Sequence, residues 1–353
     1  MRQLDAYIGK GVIWAFLAVA FVLLGLDYAL TFIDQVKRVN QYYSITNLLE
    51  VLLLRLPGKF AEYIPIASLI GTLVGLGALA STSELTVISA AGVPLARIGW
   101  AAIKPILIIS LIGVGISEFI APEADQKADL IVKLRKQRAS ENIISGGVWL
   151  RSDSNYIYIG AADKNGTLYN MQIFTPDEQT LKSTQIAKTA QHQGADEWLL
   201  NSVSSTYFHP NKVESVQSKQ QDWKMSFKPE HLFLATQEPE ALSLSQSLSY
   251  QDYLTDQGLS TSRYQLEFWT KALRPLASIA LVIIALSSVF GPLRSSTMGS
   301  RIFSGVMIGI IFQNGLNLFG KMSLAANFPP LLGVLIPIAI CLFIGAIQLR
   351  RAK

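Results

Sequence analysis

The sequence holds one cysteine, Cys341, and three histidines, and only 16% of its 353 residues are charged. A lone cysteine forms no internal disulfide, so a domain exported to an oxidising compartment must be held by its own core. His192, His209 and His231 are scattered without zinc-site spacing and read as solvated or strand-edge histidines. No G-x-x-x-x-G-K-[ST] string occurs, which excludes the usual phosphate loop and leaves any ATP-driven work to a partner. No acid, base or metal ligands converge in the sequence, so an enzyme is not expected, nor a cofactor or a metal. The scarcity of charge, with 50% hydrophobic residues and a mean hydropathy of +0.34, excludes an ordinary soluble protein of this length.

Long apolar runs are what the chain does have: 11–33, 60–80, 98–120, 302–320 and 330–349. Each approaches the roughly 20 residues that cross a hydrocarbon core of about 30 Å. A sixth run, Pro275 to Phe290, makes only about 24 Å of helix, so the turns bearing Lys271 and Arg274 are drawn into the membrane with it. Ala18-Val19-Ala20 has the look of a cleavage site, but the apolar run continues past it and predicts an uncleaved first span.

Arg2 and Lys10, Arg97, Arg294 and Arg301, and the closing Arg350, Arg351 and Lys353 fall in segments that the positive-inside rule places in the cytoplasm. Both termini are then cytoplasmic. The polar stretch 122–262 lies outside, as does the 34–59 connection despite its Lys37, Arg38, Arg55 and Lys59. The expected fold is an α-helical membrane bundle of six transmembrane helices with an inserted all-β, jelly-roll-like external domain. Residues 1–121 supply the first three helices, 122–262 the β domain with a helical lead-in to about Gly146-Gly147, and 263–353 the last three.

Within the insert, Val148–Arg151, Tyr156–Ile159 and Leu168–Phe174 are β-prone, with Lys164-Asn165-Gly166 as a left-handed turn before the third. Ile186–Ala190, Glu197–Leu200, Val203–Phe208 and Trp223–Phe227 continue the pattern, separated by Gly194-Ala195-Asp196 and a polar run near 217–221.

Between the second and third spans, Ser81-Thr82-Ser83-Glu84 predicts a serine or threonine cap with an acidic first turn, and Gly92 a stop. The product is a short amphipathic docking helix near 82–92. Gly71 and Gly75 have the small-xxx-small spacing of a close helix contact. On the outer half of the first span Asp27, Thr31, Asp34 and Arg38 share a helical face, with Lys37 beside it. Gln313, Asn317 and Lys321, with Asn314 adjacent, recur along the fifth span, and Arg263, Glu267, Lys271 and Arg274 along the fourth. A carboxylate in hydrocarbon costs at least about 2.5 kcal/mol, so these stripes predict an outward-opening cavity suited to an amphiphile with an anionic head. The plainer reading of any single lysine is an interface anchor.

The strings Phe32-Ile33-Asp34-Gln35-Val36-Lys37-Arg38, Ser83-Glu84-Leu85-Thr86-Val87-Ile88, Gly92, Arg263-Tyr264-Gln265-Leu266 and Phe290-Gly291-Pro292-Leu293-Arg294 make the chain resemble the LptF/LptG lipopolysaccharide export permeases over nearly its full length. Asp34-Gln35 and the last string favour one branch of that family, with the sister branch as runner-up. The resemblance implies a transporter subunit of the bacterial inner membrane whose β domain is periplasmic. It would pair with an LptF-like permease subunit, an LptB-like ATPase dimer and an LptC-like bridge protein; its cargo would be lipopolysaccharide and not nucleic acid. By position, Ser83, Glu84, Leu85 and Gly92 would form the ATPase-coupling element, with Glu84 as the seated carboxylate. Asp34, Lys37, Arg38, Lys271, Arg274, Gln313, Asn317 and Lys321 would line the substrate path. Thr31 stands where some members carry lysine, which leaves Lys271 and Arg274 to compensate. A receptor with a β ligand-binding domain is the other class considered, and it lacks a cytoplasmic output domain.

Overall fold

Glycine and proline decide how closely the helices approach and where they break. The computed structural model describes residues 2–37, 39, 43–139, 147–152, 154–177, 180–290 and 297–351, and the side chains of residues 2 and 135–139 lie outside that description. The helices are α1 (Arg2–Val36), α2 (Ile45–Ser81), α3 (Glu84–Ala90), α4 (Leu95–Phe119) and α5 (Ala121–Ala139), then α6 (Pro229–Ala235), α7 (Leu244–Asp256), α8 (Ser262–Ala272), α9 (Arg274–Phe290), α10 (Met298–Ala325) and α11 (Pro330–Arg351). Between α5 and α6 run β1 (Val148–Ser152), β2 (Asn155–Ala162), β3 (Thr167–Asp177), β4 (Thr180–Gly194), β5 (Glu197–His209) and β6 (Lys212–Lys224).

The chain divides into two compact units. One comprises Met1–Asp34, Arg55–Glu123 and Ser243–Lys353; the other comprises Gln35–Leu54 and Ala124–Leu242. In the first, α1, α2, α4, α10 and α11 are each long and apolar enough to cross a membrane. The α8–α9 pair meets the same test jointly, bent by 52°. Pro275 accounts for the break, since its ring has no N–H to donate and crowds the carbonyl of Lys271 four residues earlier.

Within this bundle α2 is central: 72% of its most apolar stretch is buried, against 11% for α1 and 17% for α10. Lipid tails are as apolar as leucine, so close backbone packing rather than water exclusion holds such helices together. The expected close contact at Gly71 and Gly75 is present. A Cβ at Gly71 would stand 2.6 Å from the Phe16 Cα, and one at Gly75 would stand 3.0 Å from the Val12 Cα. The opposite partner, α10, brings Gly305 and Gly309 to α2, where a Cβ would meet Leu73 at 2.7 Å and Ile66 at 3.1 Å.

Helix α2 begins at Ile45, well before the expected start near residue 60. The segment Asn47 to Leu54 is itself apolar and helix-permissive, so the connection expected over 34–59 is largely helical. At about 55 Å the helix exceeds the hydrocarbon thickness by a wide margin.

In the second unit six strands form one antiparallel sheet in the order β1-β2-β3-β4-β5-β6. The all-β expectation holds, but this sequential order is a meander and not the double Greek key that defines a jelly roll. Short connections explain it, because each strand pairs first with the neighbour its turn delivers. At Gly166 (φ +78°) the chain turns as expected, with the Asp163 carboxylate accepting from the Asn165 and Thr167 N–H groups at 2.9 Å each. Two expected strands, 197–200 and 203–208, are one continuous β5. The polar run near 217–221 is not a separator but the middle of β6, an edge strand exposed on both faces. The core of the sheet is carried by Ile157, Ile159, Met171, Ile173, Leu200, Val203 and Trp198, whose indole N–H donates to the Met225 carbonyl at 3.2 Å.

The helical lead-in is α5. Its Lys133 ammonium donates to the Thr236 carbonyl, and Gln126 donates to the Ala241 carbonyl at 3.4 Å. Burial pushes the Lys133 ammonium below the usual lysine range, and Asp129 and Glu238 offset part of that.

Candidate functional site

The hairpin between α2 and α4 begins where α2 is stopped by its own hydroxyls. Ser81 Oγ donates to the Ala78 carbonyl at 2.7 Å, and Thr82 Oγ1 stands 3.2 Å from the Leu79 carbonyl, so side chains compete with the helix ladder. Ser83 then takes a left-handed conformation, φ 61°, and its side chain makes no capping bond. The expected serine or threonine cap is therefore absent: the residue at the cap position is left-handed, whereas a capping side chain works from an extended backbone. The stop is as expected. Gly92, at φ +81°, closes α3 with bonds from its N–H to the Ser89 carbonyl (3.0 Å) and from the Val93 N–H to the Ile88 carbonyl (3.4 Å), the pairing of a Schellman motif.

Two faces of α3 differ. Leu85 is buried and joins the bundle core with Ile88 packed beside it, whereas Val87 is 66% exposed and Thr86 is exposed with it. Glu84 sits between them. Its carboxylate accepts from the Tyr7 hydroxyl at 2.9 Å and from Thr82 Oγ1 at 2.9 Å, the Thr82 proton being shared with Leu79. Close by in sequence, Arg97 grips Asp5 in a fork, Nε to Oδ1 and Nη2 to Oδ2, both at 3.1 Å. Both side chains are more than a third exposed, so solvent screens the pair, which serves mainly to fix α4 against α1.

The other end of the bundle carries an interior polar lining. Arg274 donates to Ser117 Oγ at 3.0 Å and has Glu62 and Glu267 as its charged neighbours. Glu62 also pairs with Lys59 at 2.9 Å, one helical turn back on α2. Lys271 is only 8% exposed. Asp27 faces the Tyr63 hydroxyl on α2. Glu118, at the end of α4, receives the Leu244 N–H at 2.8 Å and the Ser245 N–H at 3.3 Å, capping α7 together with its own Ser243/Gln246 capping box. An interior charge in hydrocarbon persists only where such partners exist.

Of the residues singled out for substrate, Lys271 and Arg274 are therefore turned into the bundle. Gln313 is half-buried on α10, and Asn317 and Lys321 are exposed there, with Asn314 donating to its own helix at Ile310 O (2.9 Å). Asp34 is exposed at the end of α1, Lys37 is an exposed turn residue, and Arg38 lies outside the described residues, as do Gly291–Arg294. Sequence reasoning missed Tyr7, Glu62, Tyr63, Ser117, Glu118 and the buried Arg301. The i, i+3 spacing of Lys59 and Glu62 was a usable signal; Tyr7 and Ser117 act across helices and left none.

Among the described residues no group of histidine, cysteine and carboxylate side chains could hold a metal ion. Five to six membrane-length helices with polar side chains paired inside them define a multi-pass membrane protein. The chain belongs to the family described as lipopolysaccharide export system permease LptF/LptG, whose model matches residues 6–351. It is 31% identical over 352 residues to the lipopolysaccharide export system permease protein LptG of Escherichia coli strain K12, covering 99% of this chain and 98% of that protein. Against LptG of Haemophilus influenzae it is 29% identical over 340 residues, covering 96% and 95%.

Proposed function

We propose that this protein is the LptG-type transmembrane subunit of an ATP-driven exporter that lifts lipopolysaccharide from the outer leaflet of the inner membrane toward the outer membrane. What supports the reading is full-length likeness to relatives named LptG, which also sets aside the sister LptF branch. An LptF-like subunit, an LptB-like ATPase dimer and an LptC-like bridge protein complete the assembly. In this orientation the termini and α3 face the cytoplasm and the β meander stands in the periplasm, where it receives the glycolipid. The α8–α9 pair then counts as the sixth crossing.

Glu84, on the hairpin formed by Ser83, Leu85 and Gly92, docks on the ATPase and exchanges Tyr7 and Thr82 for a partner's donor. The exposed polar run Asn317 and Lys321 on α10, with Gln313, Asp34, Lys37 and Arg38, meets the sugar and phosphate groups of the cargo. Lys271 and Arg274 supply interior positive charge behind that surface. The test is reconstitution of the copurified complex in vesicles containing lipopolysaccharide. ATP-dependent release of glycolipid to an acceptor is the expected result, and ATP hydrolysis without any release overturns it.

A further inference from the structure

Arg301 is 1% exposed, one of the largest side chains wholly enclosed in the protein. It lies in the first turn of α10, just after Thr297, whose hydroxyl caps the helix by accepting from the Ser300 N–H at 3.4 Å. Its guanidinium donates through Nη1 to the carbonyl of Gly77, in the last turns of α2. A Cβ at Gly77 would stand 2.9 Å from that Nη1 and 3.0 Å from the Arg301 Cδ, so the arginine occupies the space that a side chain on α2 would take.

Below it, Gly305 and Gly309 follow at successive four-residue steps and lie against Leu73, Ile70 and Ile66 of the same α2 face. The whole seam from Arg301 to Gly309 thus runs along α2 with almost no slack. Past Gly77, α2 ends at Ser81 and passes through Thr82 and Ser83 into α3. Past Gly309, α10 carries Gln313, Asn314, Asn317 and Lys321.

We infer that Arg301 is a positioning residue that pins α10 to the end of α2, so that displacement of α3 is carried through one helix pair to the polar run on α10. The inference rests on the proposed function and adds to it the route by which the docking hairpin acts on the cargo surface. A buried charged donor suits this task. It holds a carbonyl directionally, and sliding α10 along α2 would strand the charge in an apolar interior.

The experiment uses the complete reconstituted complex carrying Arg301→Ala, Arg301→Lys, Gly77→Ala or the Gly77→Ala/Arg301→Ala pair. Glycolipid released per ATP hydrolysed is measured alongside hydrolysis itself and recovery of the ATPase on purification. Arg301→Ala is expected to keep assembly and hydrolysis while release per ATP falls roughly tenfold, the equivalent of one charged hydrogen bond. Arg301→Lys should restore part of it, Gly77→Ala should mimic the loss by displacing the guanidinium, and the double variant should be no worse than either single one. An unchanged ratio in Arg301→Ala, or fully additive losses in the double variant, overturns the inference. Should both single variants fail to assemble, Arg301 is a packing residue and the inference fails too. Failure of the unaltered complex to release glycolipid would instead strike the proposed function itself.

Discussion

The two ends of α10 handle polarity in opposite ways. At the Met298 end a full positive charge is enclosed and its guanidinium is bonded to α2; at the Ala325 end Asn317 and Lys321 are turned outward. In a medium without water, the enclosed kind is an internal fastening and the exposed kind calls for something beyond this chain. A similar contrast separates Arg274, which bonds Ser117, from Lys321, although both lie on surfaces where the sequence places substrate contacts.

The contrast breaks most sharply at Arg274. Arg274→Ala removes the charged donor that holds Ser117 across to α4 and is expected to cost about 1.5 to 3 kcal/mol, the range for a hydrogen bond to a charged group. Thermal unfolding in detergent reads it, and a variant as stable as the parent would place Arg274 among the outward-acting residues. Next in size is Glu84→Ala, expected to lower ATP-driven release by about tenfold or more through loss of a charged hydrogen bond, with membrane insertion intact. Tyr7→Phe should leave release near its starting level if the carboxylate's working partner lies outside the chain; an equal loss in both variants would make the Tyr7 contact the functional one.

Lys321→Ala should change stability by less than about 0.5 kcal/mol, as for other exposed substitutions. A photo-crosslinker at the same position should capture lipopolysaccharide when ATP is supplied. Capture of phospholipid alone would reassign that surface to bulk bilayer.

The smallest effect concerns Lys133. Burial lowers its pKa in the folded chain, so between that value and the unfolded value near 10.4 the unfolded chain binds more protons. Stability gains from this residue as pH rises through that window, and the penalty is fully present below it. Against Lys133→Met, the parent should therefore improve in relative stability as pH is raised from neutral toward 10; an unchanged difference would mean the ammonium is well solvated.

Much of this was readable in the residues. The apolar runs located the membrane helices because length and charge scarcity are local properties, and Gly71, Gly75, Gly92 and Gly166 marked their contacts and turns because glycine's role follows from its missing side chain. The start of α2 at Ile45 and the strand over the polar run near 217–221 were not readable. Arg55, Pro57 and Lys59 break the apolar run and read as a connection although the apolar residues before them carry the helix, and a hydrophilic edge needs only one paired neighbour. The hairpin around Glu84 was legible as a short helix, while the left-handed Ser83 was not, since serine carries no signal for positive φ. Arg301 stood in plain view as a basic residue flanking a span. Its enclosure could come only from the tertiary approach of α10 to Gly77.

The meander ends on two unlike rims. β1 is five residues long, and β6 displays Lys212, Lys219 and Lys224 along a strand that is mostly polar, with Val213 and Val216 exposed among them. A short margin and a charged one both resist uncontrolled strand addition. Each rim thus works against one copy of the domain zipping edge to edge onto the next.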